Sequence, residues 1–221
     1  MIRAVFIDYM GTLVKEDNPY VQEVIGRCFT NSNAKKPLDI LHYWFQYHDA
    51  LLEKYSGETY RTEYDISIET FGATMEHFKF SDDAKELCAI LEKHWMYSPI
   101  FNDVTSFFKE CPVPIYIVTS NDTKYVEEGV RYHGLTPAGI ISSEMAHAYK
   151  PQKELFQKAL NLSGFMPDEV IHIGDSIRAD VQGATNSGII PWLLDRTRTK
   201  NIDHVTVIHS LEDALALIKK N

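Results

Sequence analysis

The chain has 221 residues, 44% of them hydrophobic, enough for one large domain or a domain with a smaller insert. Acidic residues outnumber basic ones, 31 to 22, for a formal net charge of −9, which argues against nonspecific nucleic-acid binding. No apolar run is long enough to cross a bilayer and no charged leader precedes an apolar start, so a cytoplasmic protein with no membrane partner is expected.

The apolar run Ala4 to Ile7 reads as a buried strand of a parallel sheet, and it stops at Asp8. Gly11 then allows a sharp turn, and Thr12 offers a hydroxyl to a phosphate or to the turn itself. From Lys15 to about Ser98 the pattern is helical. Four amphipathic helices are marked by Val21–Phe29, Leu38–Leu52, Tyr64–Phe78 and Leu87–Trp95, with Pro19 near the first start and Ser81-Asp82-Asp83 before the last. Strands return at Val113–Val118, Gly139–Ile141, Val170–Ile173, Ile189–Leu194 and Val205–Ile208. Helices are expected between them, one starting at Pro151 and another running to about Asn186, with Leu211–Lys219 closing the chain. Strands alternating with helices predict an α/β fold, a Rossmann-like parallel sheet with right-handed crossovers. The expected division is a core of 1–14 and 99–221 and a helical cap of 15–98 lying over the carboxyl edge of the sheet. Cys28, Cys88 and Cys111 fit no zinc spacing and read as free thiols, each a small buried apolar residue.

Three strand ends carry polar groups, Asp8, Ser120 and Asp175; Lys150-Pro151 stands at a helix start, and Asp180 lies about one turn past Asp175. Strand ends of a parallel sheet converge on one edge. Taken singly, Asp8 can cap a turn, Ser120 can cap a helix and Lys150 can be a surface lysine. Together, two carboxylates meeting on one edge repel unless a cation or protons intervene. Magnesium, which accepts a few carboxylates, waters and a substrate phosphate, suits that place. Asp122 is expected to cap its own helix, and His172 to be a core histidine.

These residues resemble the haloacid dehalogenase superfamily of hydrolases, most of whose members are phosphatases. Asp8-Tyr9-Met10-Gly11-Thr12 looks like its nucleophile motif, Ser120 its hydroxyl motif, Lys150 its lysine motif, and Gly174-Asp175 with Asp180 its acidic motif. The likeness covers nearly the whole chain. It implies that Asp8 attacks phosphorus and forms an aspartyl-phosphate, and that Asp8, Asp175 and the Met10 carbonyl hold Mg2+. It further implies that Lys150 neutralises charge, that Ser120 and the Asn121 N–H bind phosphate oxygens, and that Asp180 meets metal waters or orients Lys150. The implied substrate is a small phosphorylated metabolite, acted on by a monomer or homodimer.

The chain departs from that pattern at Met10, where phosphatases of the superfamily carry a second Asp that protonates the leaving group and activates water. General acid–base catalysis contributes about 10²–10⁴-fold. Two relatives lack that Asp. Dehalogenases use no metal and lack the acidic fourth motif, so Asp175 points away from them. Phosphonoacetaldehyde hydrolases keep magnesium but need a cap lysine; Lys35, Lys36 and Lys54 are candidates only by location. Three readings stand: a magnesium-dependent hydrolase, a weakened relative that binds a phosphorylated ligand or a partner, and a carbon–phosphorus hydrolase. Tyr60, Arg61 and Tyr64 are further residues of the insert able to face a substrate.

Overall fold

The computed structural model describes residues 1–200 and 202–220. Strand β1 (Ala4–Ile7) is buried along its whole length. Its side chains alternate, Val5 and Ile7 to one face and Ala4 and Phe6 to the other, so the strand seeds two separate cores. Four helices follow: α1 (Pro19–Thr30), α2 (Pro37–Lys54), α3 (Glu63–Phe78) and α4 (Ala84–Tyr97). Asn18 caps α1, accepting from the Tyr20 and Val21 N–H groups, and Pro19 takes the first helical position where no N–H is needed. Thr62 caps α3, and Asp83 caps α4. The apolar faces of the four helices close on a third core containing Val24, Ile40, Phe71, Leu87 and Trp95.

The sheet resumes after α5 (Val104–Glu110), with β2 (Ile115–Thr119), α6 (Thr123–Tyr132), β3 (Gly139–Ser142), α7 (Ser143–Ala146), α8 (Lys153–Ser163) and β4 (Val170–Gly174). A π-helical turn over Ile177–Gln182 leads into α9 (Gly183–Asn186), then β5 (Ile190–Leu194), β6 (Thr206–Ile208) and α10 (Leu211–Ile218). The strands run in the order β3-β2-β1-β4-β5-β6, every pair parallel. This is the Rossmann-like α/β arrangement, and its order reverses between β1 and β4, where such sheets bind ligands.

Some elements differ from expectation. Helix α5 buries only Val104 and Phe107, too short a pattern to show a period. Helix α8 begins at Lys153 rather than Pro151, because the Tyr149 carbonyl accepts the Gln152 N–H in a turn first. The helix expected up to Asn186 is a π-helical turn followed by a short α-helix.

The helical layer joins the sheet through two paired linkers. Lys15 N–H donates to the Pro99 carbonyl at 2.9 Å, and Phe101 N–H to the Leu13 carbonyl at 3.1 Å. The Asn18 amide adds a bond to Ser98 Oγ at 2.8 Å. Further contacts bridge the layers away from the linkers: Tyr9 Oη donates to the Trp95 carbonyl and Tyr149 Oη to the Arg61 carbonyl.

Candidate active site

Asp8 directly follows β1, its N–H donated to the Ile173 carbonyl of β4 at 2.9 Å. Asp175 directly follows β4. The two carboxylates therefore flank the point where the strand order reverses. Two glycines permit the approach. Gly11 has φ +79, and a Cβ there would sit 2.8 Å from Asp175 Oδ1. A Cβ on Gly174 would sit 2.1 Å from Asp180 Cγ.

Lys150 reaches the same place from the loop before α8. Its Nζ donates to Asp8 Oδ1 and, at 2.7 Å, to Asp180 Oδ1. Asp180 also accepts from His172 Nε2 at 2.9 Å and from the Ser176 N–H at 3.0 Å, so both of its oxygens are engaged within the protein. Asp180 thus orients Lys150. His172 is a fully buried core residue, as expected, and it also braces Asp180.

Electrostatics follow from this packing. Burial, only partly offset by Lys150, pushes the Asp8 carboxyl up to about 7. Burial and the Asp180 charge bring Asp175 up to about 6. Burial opposes the charge on Lys150, yet Asp180 and Asp8 together hold its ammonium above the ordinary lysine range. Asp180, desolvated but bonded to Lys150 and His172, stays well below the carboxylate range. One oxygen from each of Asp8, Asp175 and Asp180 falls within 4.8 Å of the others. With Asp180 committed to Lys150 and His172, Asp8 and Asp175 are the carboxylates left to a cation, and an all-oxygen donor set of this kind suits a small hard divalent ion.

A cavity of about 630 Å³ opens over this cluster, lined among others by Asp8, Met10, Ser120, Asn121, Lys150, Asp175 and Asp180. Ser120 Oγ accepts the Lys150 N–H at 3.2 Å. Three sequence expectations require correction. Thr12 is fully buried, outside the cavity wall, with no hydrogen-bond partner for its hydroxyl among the described residues; the Gly11 turn sends it inward, and Arg196 holds its carbonyl. The Asn121 N–H is already donated to Thr119 Oγ1 at 3.1 Å, because the turn closes on itself. Asp122 does not cap its own helix. Its carboxylate crosses to the helical layer and accepts the Glu63 and Tyr64 N–H groups at the start of α3, at 2.9 and 3.1 Å.

Three cavity residues escaped sequence reasoning. Glu63, on α3, accepts the Asn121 amide at 2.8 Å, and burial beside Asp122 raises its carboxyl well above the usual range. Glu16, in the first linker, is an exposed residue that lines the cavity and feels the Asp8 charge. Lys200 donates to the Asp175 carbonyl and lies 3.6 Å from its carboxylate. Glu63 follows a helix cap and Glu16 precedes one, so each reads locally as an ordinary helix-start acid. Lys35, Lys36 and Lys54 are exposed, and the lysines lining the cavity are Lys150 and Lys200.

A parallel Rossmann-like α/β sheet with paired carboxylates and a buried lysine at its switch point, and four helices over that edge, has its polar cluster where open parallel sheets bind ligands. The family model for haloacid dehalogenase-like hydrolases matches residues 2–188, and the chain belongs to that family. It is 28% identical over 130 residues to haloacid dehalogenase-like hydrolase domain-containing protein 3 of Danio rerio, covering 55% of this chain and 54% of that one. It is 25% identical over 126 residues to pyrimidine 5′-nucleotidase PynA of Streptococcus pneumoniae, covering 54% and 53%. The chain thus spans about half the length of the curated relatives it matches. Among solved structures it is similar to L-2-haloacid dehalogenase from Xanthobacter autotrophicus with chloropropionic acid covalently bound, at TM-score 0.81 and 18% identity over 99% of both chains. It is also similar to YfnB from Bacillus subtilis bound to magnesium, at TM-score 0.72 and 18% identity over 98% of both. These last two likenesses are of fold.

Proposed function

We propose that the chain is a phosphohydrolase of small monophosphate esters, working through a covalent aspartyl-phosphate on Asp8. The observation that carries this is the Lys150 ammonium held between Asp8 and Asp180, with Asp175 beside them. In this reading an Asp8 oxygen attacks phosphorus, the ester oxygen leaves with the bonding pair and takes a proton from solvent water, since Met10 has none to give, and a second water then cleaves the acyl phosphate, returning a proton to solvent, releasing phosphate and restoring Asp8. Lys150 offsets charge between an anionic nucleophile and an anionic substrate, and Asp180 and His172 fix its direction. Ser120, on the cavity wall, would donate to a phosphate oxygen. Asp8, Asp175 and the Met10 carbonyl would hold a magnesium ion, which supplies charge neutralisation when bound. Residues 15–98 act as the cap that excludes water.

The pyrimidine nucleotidase relative supports a phosphorylated small molecule as substrate. Asp175 next to Asp8 favours assisted phosphoryl chemistry over halide displacement. The carbon–phosphorus reading lacks its lysine, since no lysine of the insert lines the cavity. Met10 favours a second reading, a protein that binds a phosphorylated ligand with little turnover. Phosphate release with magnesium over a panel of monophosphates, for wild type and Asp8→Asn, separates the two. Release that vanishes in the variant supports covalent catalysis; equal release from both proteins refutes it; none from either favours binding.

A further inference from the structure

The cavity has two unlike ends. The core end holds the carboxylates, Lys150 and Lys200. The rest of the wall is supplied largely by α1 to α4, and it is apolar, with Val24, Ile25, Leu41, Trp44, Phe71 and Trp95 among its residues. Its two histidines, His48 and His94, are neutral: burial brings them down to about 3 and about 4. No lysine or arginine of the insert lines it, whereas Glu16, Asp49 and Glu63 do. A second anionic group on the ligand would find acids rather than a counter-ion there. For a sugar the wall offers few partners, chiefly the three acids and Trp44 Nε1 and His48 Nε2, which have no hydrogen-bond partner among the described residues, and each hydroxyl left against hydrocarbon costs free energy for the hydrogen bonds given up to enter. A volume of about 630 Å³ is far more than one phosphate needs and lies within the range of pockets for drug-sized ligands, roughly 300–1,000 Å³.

We infer that the organic group of the substrate is uncharged and apolar, an extended alkyl or aromatic group that lies among α1 to α4 while a single phosphate meets Asp8 and Lys150. The inference rests on the phosphohydrolase reading for its headgroup and on the wall of the cavity for its tail.

Two measurements keep the two parts separate. The first is phosphate release, with magnesium, from n-alkyl phosphates from ethyl to octyl, and from uridine 5′-monophosphate. The second is binding of the matching alkyl phosphonates, which cannot be hydrolysed, followed by tryptophan fluorescence, since Trp44 and Trp95 line the cavity. Transfer of one methylene from water to an apolar site is worth about fourfold at most. We expect phosphonate affinity and kcat/KM to rise at least roughly tenfold from ethyl to octyl. Octyl phosphate should exceed the nucleotide, and Leu41→Gln, at a partly buried position, should flatten the series. Phosphonate affinity that rises with chain length, without turnover of any ester, would refute the hydrolase reading and uphold the apolar site. Turnover with no dependence on chain length, or a nucleotide used as well as octyl phosphate, would overturn the inference and leave the hydrolase reading standing.

Discussion

Replacing Lys150 by Met removes the positive charge between two buried carboxylates while roughly preserving the length of the side chain. Lys150 and Asp8 are each 7% exposed and Asp180 1%, so little water is available to take over. Removing one partner from a buried ion pair costs about 3–5 kcal/mol. At about 2–4 °C per kcal/mol for a chain of this size, the melting temperature should fall by roughly 6–20 °C. The cost should depend on pH. Asp8, already raised to about 7 with Lys150 present, rises further without it and folds protonated. The folded variant then binds one proton more than the unfolded chain, so its stability falls as pH rises, by up to about 1.4 kcal/mol per pH unit. Urea titrations at pH 6 and pH 8, with a chelator to exclude divalent ions, measure this. The triple change Asp8→Asn, Lys150→Met, Asp180→Asn leaves no unpaired charge and should recover most of the loss, because neutral replacement of a whole buried ionic set is often tolerated. A Lys150→Met protein within about 1 kcal/mol of wild type, or a triple variant no more stable than the single one, would refute the electrostatic argument.

Other consequences can be checked separately. His48 is neutral in the fold at about 3 against an ordinary 6.5, so acid protonates the unfolded chain first and stability falls as pH drops below 6.5; at pH 5 the loss is about 2 kcal/mol, and His48→Leu should be spared that much in a melting comparison between pH 7 and pH 5. Asp122→Ala strands the Glu63 and Tyr64 N–H groups at the start of α3, so it should cost about 1–3 kcal/mol and speed amide exchange there. Gly11→Ala places a methyl 2.8 Å from Asp175 Oδ1 on a left-handed backbone, so it should cost about 1–2 kcal/mol; magnesium is expected to raise the wild-type melting temperature by linkage and should raise that of the variant less.

What was legible in the sequence was whatever is written locally. The strands are short apolar runs such as Val170–Ile173, and the observed ends differ by a residue or two because pairing, not composition, sets them. The meeting of Asp8 with Asp175 could be read because both stand at strand ends, and topology brings strand ends to one edge. Illegible were the partners chosen across the gap between the layers. Asp122 has the residue type and position of an N-cap for α6, yet it serves α3, 58 and 59 residues away in sequence. Glu63 behaves as a first-turn acid in any local reading; only the docking of α3 on the β2 loop makes it a cavity residue. Thr12 offered a hydroxyl at a promising spacing, but spacing does not say which way a chain turns after a left-handed glycine.

The loop after β2 faces two ways at once. Ser120 looks into the cavity, while Asn121 and Asp122 grip the first turn of α3. Lifting the helical layer away would uncover two donors on α3 and separate the Glu63 carboxyl from the amide that holds it, in the same movement that opens the way to Ser120. Any ligand that steadies this loop must, by reciprocity, favour the closed layer by the same free energy with which closure favours the ligand. Ligand affinity and the closing equilibrium are then linked through Ser120, Asn121 and Asp122, which act alongside the Tyr9–Trp95 and Tyr149–Arg61 contacts that also hold the layers together.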